Sequence, residues 1–169
     1  MTELDLRTRT QNIVVDDVFP YEPAAIWKVL TSRQLMGHWF IEPAGFEAVV
    51  GTPFTFQARA AGAWNGVIHC RVLEVTAGER LAYDWKCGDG TDRAEKPRLD
   101  TVVTWTLSRA KRGTRLRLAH SGFVMPSNEP AFKTLRGVWT KCVQAIVVIA
   151  GEQQGAIAVP ARDRRGALS

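Results

Sequence analysis

The sequence contains no apolar run approaching the roughly 18 residues that a membrane-crossing helix needs, so no segment reads as a membrane span. Its first dozen residues, MTELDLRTRTQN, are polar and of mixed charge and lack the apolar core of a secretory signal, so export is not expected. Cysteine is scarce. Cys70, Cys87 and Cys142 are odd in number, far apart and never in C-x-x-C spacing, which argues against a disulfide framework and a zinc site. Histidine is equally scarce. His38, His69 and His120 form no H-x-x-x-H pair and no His/Asp cluster, so no metal ligand set is expected. No G-x-S-x-G or comparable nucleophile motif occurs, and no residue is assigned as catalytic. Internal repeats and low-complexity stretches are absent, and nothing in the sequence calls for a cofactor.

The net charge of +5 and pI of about 9.4 invite a search for a nucleic-acid footprint. The basic residues are scattered among a turn, one strand face and the last residues, with no run that alternates with aromatics. A solvated basic surface is the expectation, with no nucleic-acid partner. The hydrophobic share of 46% and charged share of 23% match an ordinary globular chain, and 169 residues fit one domain. At that size roughly two-thirds of the unfolded chain's surface is buried on folding, enough for a core without staples. Reduced cysteines used as small hydrophobes in a cytoplasmic protein follow from this.

Asn12–Phe19 is rich in β-branched residues and reads as a strand. Pro23 suits the first turn of a helix that carries Ile26, Trp27 and Leu30 on one face, and Ser32 can cap a second short helix with Leu35, Trp39 and Phe40. The stretch GFEAVVGTPFTFQAR predicts two strand pieces around a Gly-Thr-Pro turn, with Phe54 and Phe56 sharing a face. Next, Ile68, Cys70 and Val72 alternate with His69 and Arg71, and Leu81, Tyr83, Trp85 and Cys87 with Ala82, Asp84 and Lys86. Residues 88–98 form the longest polar loop.

The stretch WTLSRAKRGTRLRLAHSGF (105–123) then predicts a hairpin. Arg115 and Arg117 lie on its wet face, while Leu116, Leu118 and His120 face inward. From Glu129 the period becomes helical. Phe132, Leu135, Trp139, Cys142, Ile146 and Ile149 are spaced by 3 and 4 along one stripe, in a helix expected to end near 151–155. The order is one strand, two short helices, further antiparallel strands and a long helix. It implies an α+β domain whose curved sheet wraps the last helix.

Three stretches, FPYEPAAIWKVLTSRQLMGHWF, GVIHCRVLEVTAGERLAYDW and TVVTWTLSRAKRGTRLRLAHSGF, together with Trp139, resemble the activator-of-Hsp90-ATPase-homologue-1-like family of the START/Bet v 1-like (polyketide cyclase/dehydrase-like) superfamily. The resemblance covers residues 12–154. It implies the helix-grip fold: an antiparallel sheet of six to seven strands around a long C-terminal helix, with a cavity between them that often takes a hydrophobic small molecule. It divides the chain into an N-terminal segment (1–11), the domain (12–155) and a flexible tail (156–169). It also raises an Hsp90-type chaperone as partner. The co-chaperones of that family, however, carry an additional N-terminal domain, for which this chain has no room.

Two readings of the inward aromatics stay open, core packing and the lining of a cavity. Trp85, Trp105 and Trp139 are the foremost ligand-binding candidates, joined by Phe54, Phe56, Trp39, Tyr83 and His120. His120 is either a core residue with satisfied hydrogen bonds or a donor at the cavity. The leading expectation is a non-enzymatic binder of a small hydrophobic or aromatic molecule. The alternatives are a cyclase- or hydrolase-like enzyme using His120 on a polyketide-like substrate, and a chaperone-linked interaction module. Domains of this kind also associate as homodimers.

Overall fold

The computed structural model describes residues 9–60, 64–88 and 99–166. Six antiparallel strands form one sheet: β1 (Thr10–Phe19), β2 (Pro53–Gln57), β3 (Val67–Thr76), β4 (Arg80–Cys87), β5 (Leu99–Ala110) and β6 (Gly113–Val124). Their order across the sheet is β1-β6-β5-β4-β3-β2. Strands β2 to β6 follow one another as a meander, and β1 closes on the far side of β6. Between β1 and β2 lie two short helices, α1 (Pro23–Thr31) and α2 (Arg33–Trp39). The long helix α3 (Glu129–Gly166) follows β6. This is the helix-grip architecture. No helix among the described residues is long and apolar enough to cross a membrane.

Register places the inward residues in rows. Ile13, His120, Val103 and Tyr83 form one row across β1, β6, β5 and β4, and Leu118, Trp105 and Leu81 form the next. A one-residue slip would turn each row to solvent, so the alternating pattern fixes the register. The helix α3 buries Trp139, Cys142, Val143, Ile146 and Ala150 against these rows. Helix α1 packs on α3 through Ala25, Ile26, Val29 and Leu30. The contact is close at Gly151, where an added Cβ would meet the Tyr21 hydroxyl oxygen at 2.8 Å. Ser32 caps α2 as expected, its hydroxyl accepting the Leu35 N–H.

Three expectations change. The stretch 46–50 forms no strand of its own. Gly45 and Gly51 take positive φ, Val49 and Val50 are exposed, and only an isolated bridge, Ala44 with Thr55, joins the segment to β2. A left-handed residue at each end folds the segment into turns before pairing can extend. Second, α3 does not stop near 151–155 but continues to Gly166. The apolar stripe ends near Ala150, but beyond it the Glu22 N–H donates to Gln154 Oε1 at 2.6 Å, and Gln153, Gln154 and Ala156 are good helix formers that extend an existing helix. Third, Leu135 is only half-buried, because the wall it faces is open. The polar loop read at 88–98 lies outside the described residues beyond Gly88.

Candidate functional site

Between the sheet and the first turns of α3 the two layers do not meet. They leave a cavity of about 510 Å³, within the usual range for small-molecule sites. One wall comes from the sheet and its connections: Phe40, Ala58, Trp64, Ile68, Trp85, Cys87 and Leu99. The other comes from the connection into α3 and its first turns, with Ser127, Asn128, Pro130, Ala131, Thr134, Leu135 and Val138. Ala131, Thr134, Leu135 and Val138 stand at i, i+3, i+4 and i+7, so they share one face beside the buried stripe of Phe132 and Trp139. Trp64 is held in the wall by its own Nε1–H, which donates to the Val67 carbonyl at 3.2 Å.

Trp85 separates the cavity from the core. Its ring touches Phe40, Phe56, Trp139 and His120 at centroid distances of 5.2–5.7 Å. Of the eight residues proposed from sequence, it alone lines this cavity. Trp105, Trp139, Tyr83, Phe56 and Trp39 are all buried in the closed core, and Phe54, also buried, borders a second, separate hollow. Trp105 donates its Nε1–H to the Tyr83 hydroxyl at 3.0 Å, and burial pushes the Tyr83 phenol well above its ordinary range. Trp39 donates to the Val29 carbonyl at 2.9 Å and packs edge-on against Trp105. Phe54 and Phe56 stack edge-on with each other and with Tyr83 and Phe40.

His120 is fully buried, and both its ring nitrogens are bonded. The Trp139 indole Nε1–H, which can only donate, lies 2.9 Å from His120 Nδ1. Nδ1 is therefore the acceptor, and the ring proton sits on Nε2. That N–H faces the Thr101 hydroxyl oxygen at 2.7 Å, and the hydroxyl in turn donates to the Trp85 carbonyl at 3.0 Å. Every group in the chain Trp139–His120–Thr101–Trp85 is satisfied in one direction. Burial lowers the His120 pKa to about 3, so the ring is neutral at physiological pH. It has no nitrogen left for a ligand.

The remaining chemistry is muted. Burial pushes the Cys87 thiol up to about 11 and the Cys142 thiol up to about 12, and holds Cys70 well above its ordinary value. At neutral pH all three are thiols, which are poor nucleophiles. The second hollow, of about 350 Å³, lies against the outward side chains Thr55, His69, Arg71, Asp84 and Lys86 and is also bordered by Phe54 and Cys70. Burial raises the Asp84 pKa, against the opposing pull of the Arg71 backbone N–H and the Lys86 ammonium, 3.9 Å away. Among the described residues no group of three or more His, Cys, Asp or Glu side chains could hold a metal ion.

Sequence reasoning missed Phe40, Trp64, Leu135 and Val138 as cavity residues. The last two were readable as neighbours of the apolar stripe. Phe40 reads as an apolar residue of the second short helix and Trp64 as the start of the next strand, but both lie in connections between elements.

A model of the family described as Activator of Hsp90 ATPase homolog 1-like protein matches residues 20–151. No curated protein matches the chain. Among solved structures, protein MLL2253 of Mesorhizobium loti is similar with 28% identity and a TM-score of 0.71, over 84% of this chain and 98% of that one. Protein BH1534 of Bacillus halodurans follows with 20% identity and a TM-score of 0.65, over 85% and 99%. CalU16 of Micromonospora echinospora has 21% identity and a TM-score of 0.62, over 89% and 87%. The last two likenesses speak to the fold alone.

Proposed function

The chain belongs to the activator of Hsp90 ATPase homologue 1-like family, and on that premise we propose that it binds a small hydrophobic or aromatic molecule in the cavity between the sheet and α3. The observation that carries this reading is the cavity itself: about 510 Å³, with Phe40, Trp64 and Trp85 offering ring surfaces and Ile68, Leu99, Leu135 and Val138 completing an apolar wall. An apolar pocket with few polar groups is the general form of a small-molecule site. Binding without turnover is favoured over acid–base chemistry because His120 spends both nitrogens inside the core.

The test has two arms. Native mass spectrometry of the purified protein, followed by organic extraction, looks for a retained molecule. Titration with the uncharged fluorophore N-phenyl-1-naphthylamine measures uptake. Ala131→Phe and Val138→Phe fill the cavity from the helix side and should weaken uptake by about tenfold or more while the fold is kept. Absence of both a retained molecule and uptake, or equal uptake by the filled variants, rejects the reading.

A further inference from the structure

The wall of this cavity says more about charge than about shape. Among the described residues that line it there is no Lys, Arg, His, Asp or Glu. Its polar groups are the neutral side chains of Ser127, Asn128 and Thr134 and the Cys87 thiol, which burial keeps protonated.

One feature of the fold could still hold an anion. A helix begins at the cavity, and the unbonded N–H groups and positive dipole of a helix N-terminus ordinarily attract negative charge. Here the first three positions of that end have no N–H to offer. The Asn128 N–H donates to the Val124 carbonyl at 2.7 Å, and the Glu129 N–H to the Pro126 carbonyl at 3.0 Å. Pro130 has no N–H to give. The Glu129 carboxylate sits in the first turn, where it meets the dipole itself and pairs with Lys133 at 3.2 Å. A carboxylate brought into the cavity would lose its hydration and find, among the described residues, no counter-ion and no run of adjacent free N–H groups at the start of α3, a strongly unfavourable exchange.

We propose that the cavity selects uncharged ligands and rejects carboxylates of the same shape. This rests on the binding reading given above and narrows its ligand class to neutral molecules such as alcohols, phenols, ketones and esters.

The experiment compares matched pairs at pH 7.5 by calorimetry and tryptophan fluorescence: methyl 2-naphthoate with 2-naphthoate, and 1-dodecanol with dodecanoate. The neutral member should bind tighter by about tenfold or more, the scale of leaving one charged group unpaired. A lysine placed at the exposed cavity-lining position, Thr134→Lys, should raise the affinity for the acids several-fold and leave that for the neutral members near the wild-type value. Acids bound as tightly as their neutral partners overturn the proposal, and so does a Thr134→Lys variant with no gain for the acids. Failure of every member of both pairs, neutral and acidic, instead rejects the binding reading on which it rests.

Discussion

The Trp139 indole N–H donates to His120 Nδ1 across 2.9 Å, tying α3 to β6 at the centre of the core. Its consequence is chemical as well as mechanical. Because an indole can only donate, this contact fixes the histidine as neutral, with its proton on Nε2 toward Thr101. An inward histidine near a cavity invites a catalytic reading. Here the ring is instead the middle of a polar chain that ends on the backbone of Trp85, the residue that floors the cavity.

Substitution of His120 should therefore act on stability first. His120→Ala leaves the Trp139 N–H without its acceptor, removes the Thr101 hydroxyl's partner and opens a void, and should cost about 3 kcal/mol or more. His120→Gln can accept from Trp139 and donate to Thr101, and should cost about 1–2 kcal/mol. Urea unfolding followed by tryptophan fluorescence measures both. Equal midpoints for wild type and His120→Ala would contradict the bonding described.

The same residue sets an acid limit. Native His120 stays neutral down to about pH 3, whereas in the unfolded chain it takes up a proton below its ordinary value of 6.5. Between those values the unfolded state binds the extra proton, so stability is fully present above pH 6.5 and falls as pH drops toward 3. The slope should approach about 1.4 kcal/mol per pH unit between roughly pH 6 and 4. His120→Gln has no such proton to bind. The wild-type advantage of about 1–2 kcal/mol at pH 7 should accordingly fall and reverse in sign by about pH 4, leaving His120→Gln the more stable there, and a constant difference would refute the assignment.

The fold was legible because its signals are periodic. Leu81, Tyr83 and Trp85, and again Leu116, Leu118 and His120, alternate as half-buried strands must, and all six are buried. The stripe from Phe132 to Ile149 carries the helical period in the same way. The place of the cavity followed from the family resemblance, but its lining was not legible, because the wall depends on how far α3 stands off the sheet, a distance that no local pattern encodes. Trp105 and Trp64 look alike as letters; register puts one in the closed core, while a connection before β3 puts the other in the wall. The His120 partners were not legible: sequence proximity points to Ser121, Thr104 and Thr106, whereas the register brings Thr101 to Nε2, and the acceptor role of Nδ1 needed the helix in place.

These two tryptophans offer the sharpest separation of core from site. Trp105 is fully buried, donates to Tyr83 and touches both Trp39 and Trp139. Trp105→Phe removes the donor to a buried hydroxyl and part of a close-packed ring, and should cost about 2–4 kcal/mol. Uptake of N-phenyl-1-naphthylamine by the folded variant should stay near the wild-type level. Trp64 is half-buried on the cavity wall, its indole N–H donating to the nearby Val67 carbonyl. Trp64→Ala should cost about 1 kcal/mol or less, since the ring is already partly wet, and should weaken uptake about tenfold through loss of a stacking surface. Paired denaturation and binding curves decide the matter. If Trp105→Phe abolishes uptake without loss of stability while Trp64→Ala leaves it unchanged, the ligand sits deeper than the cavity between β4 and α3, and the first, sequence-based choice of Trp105 was the better one.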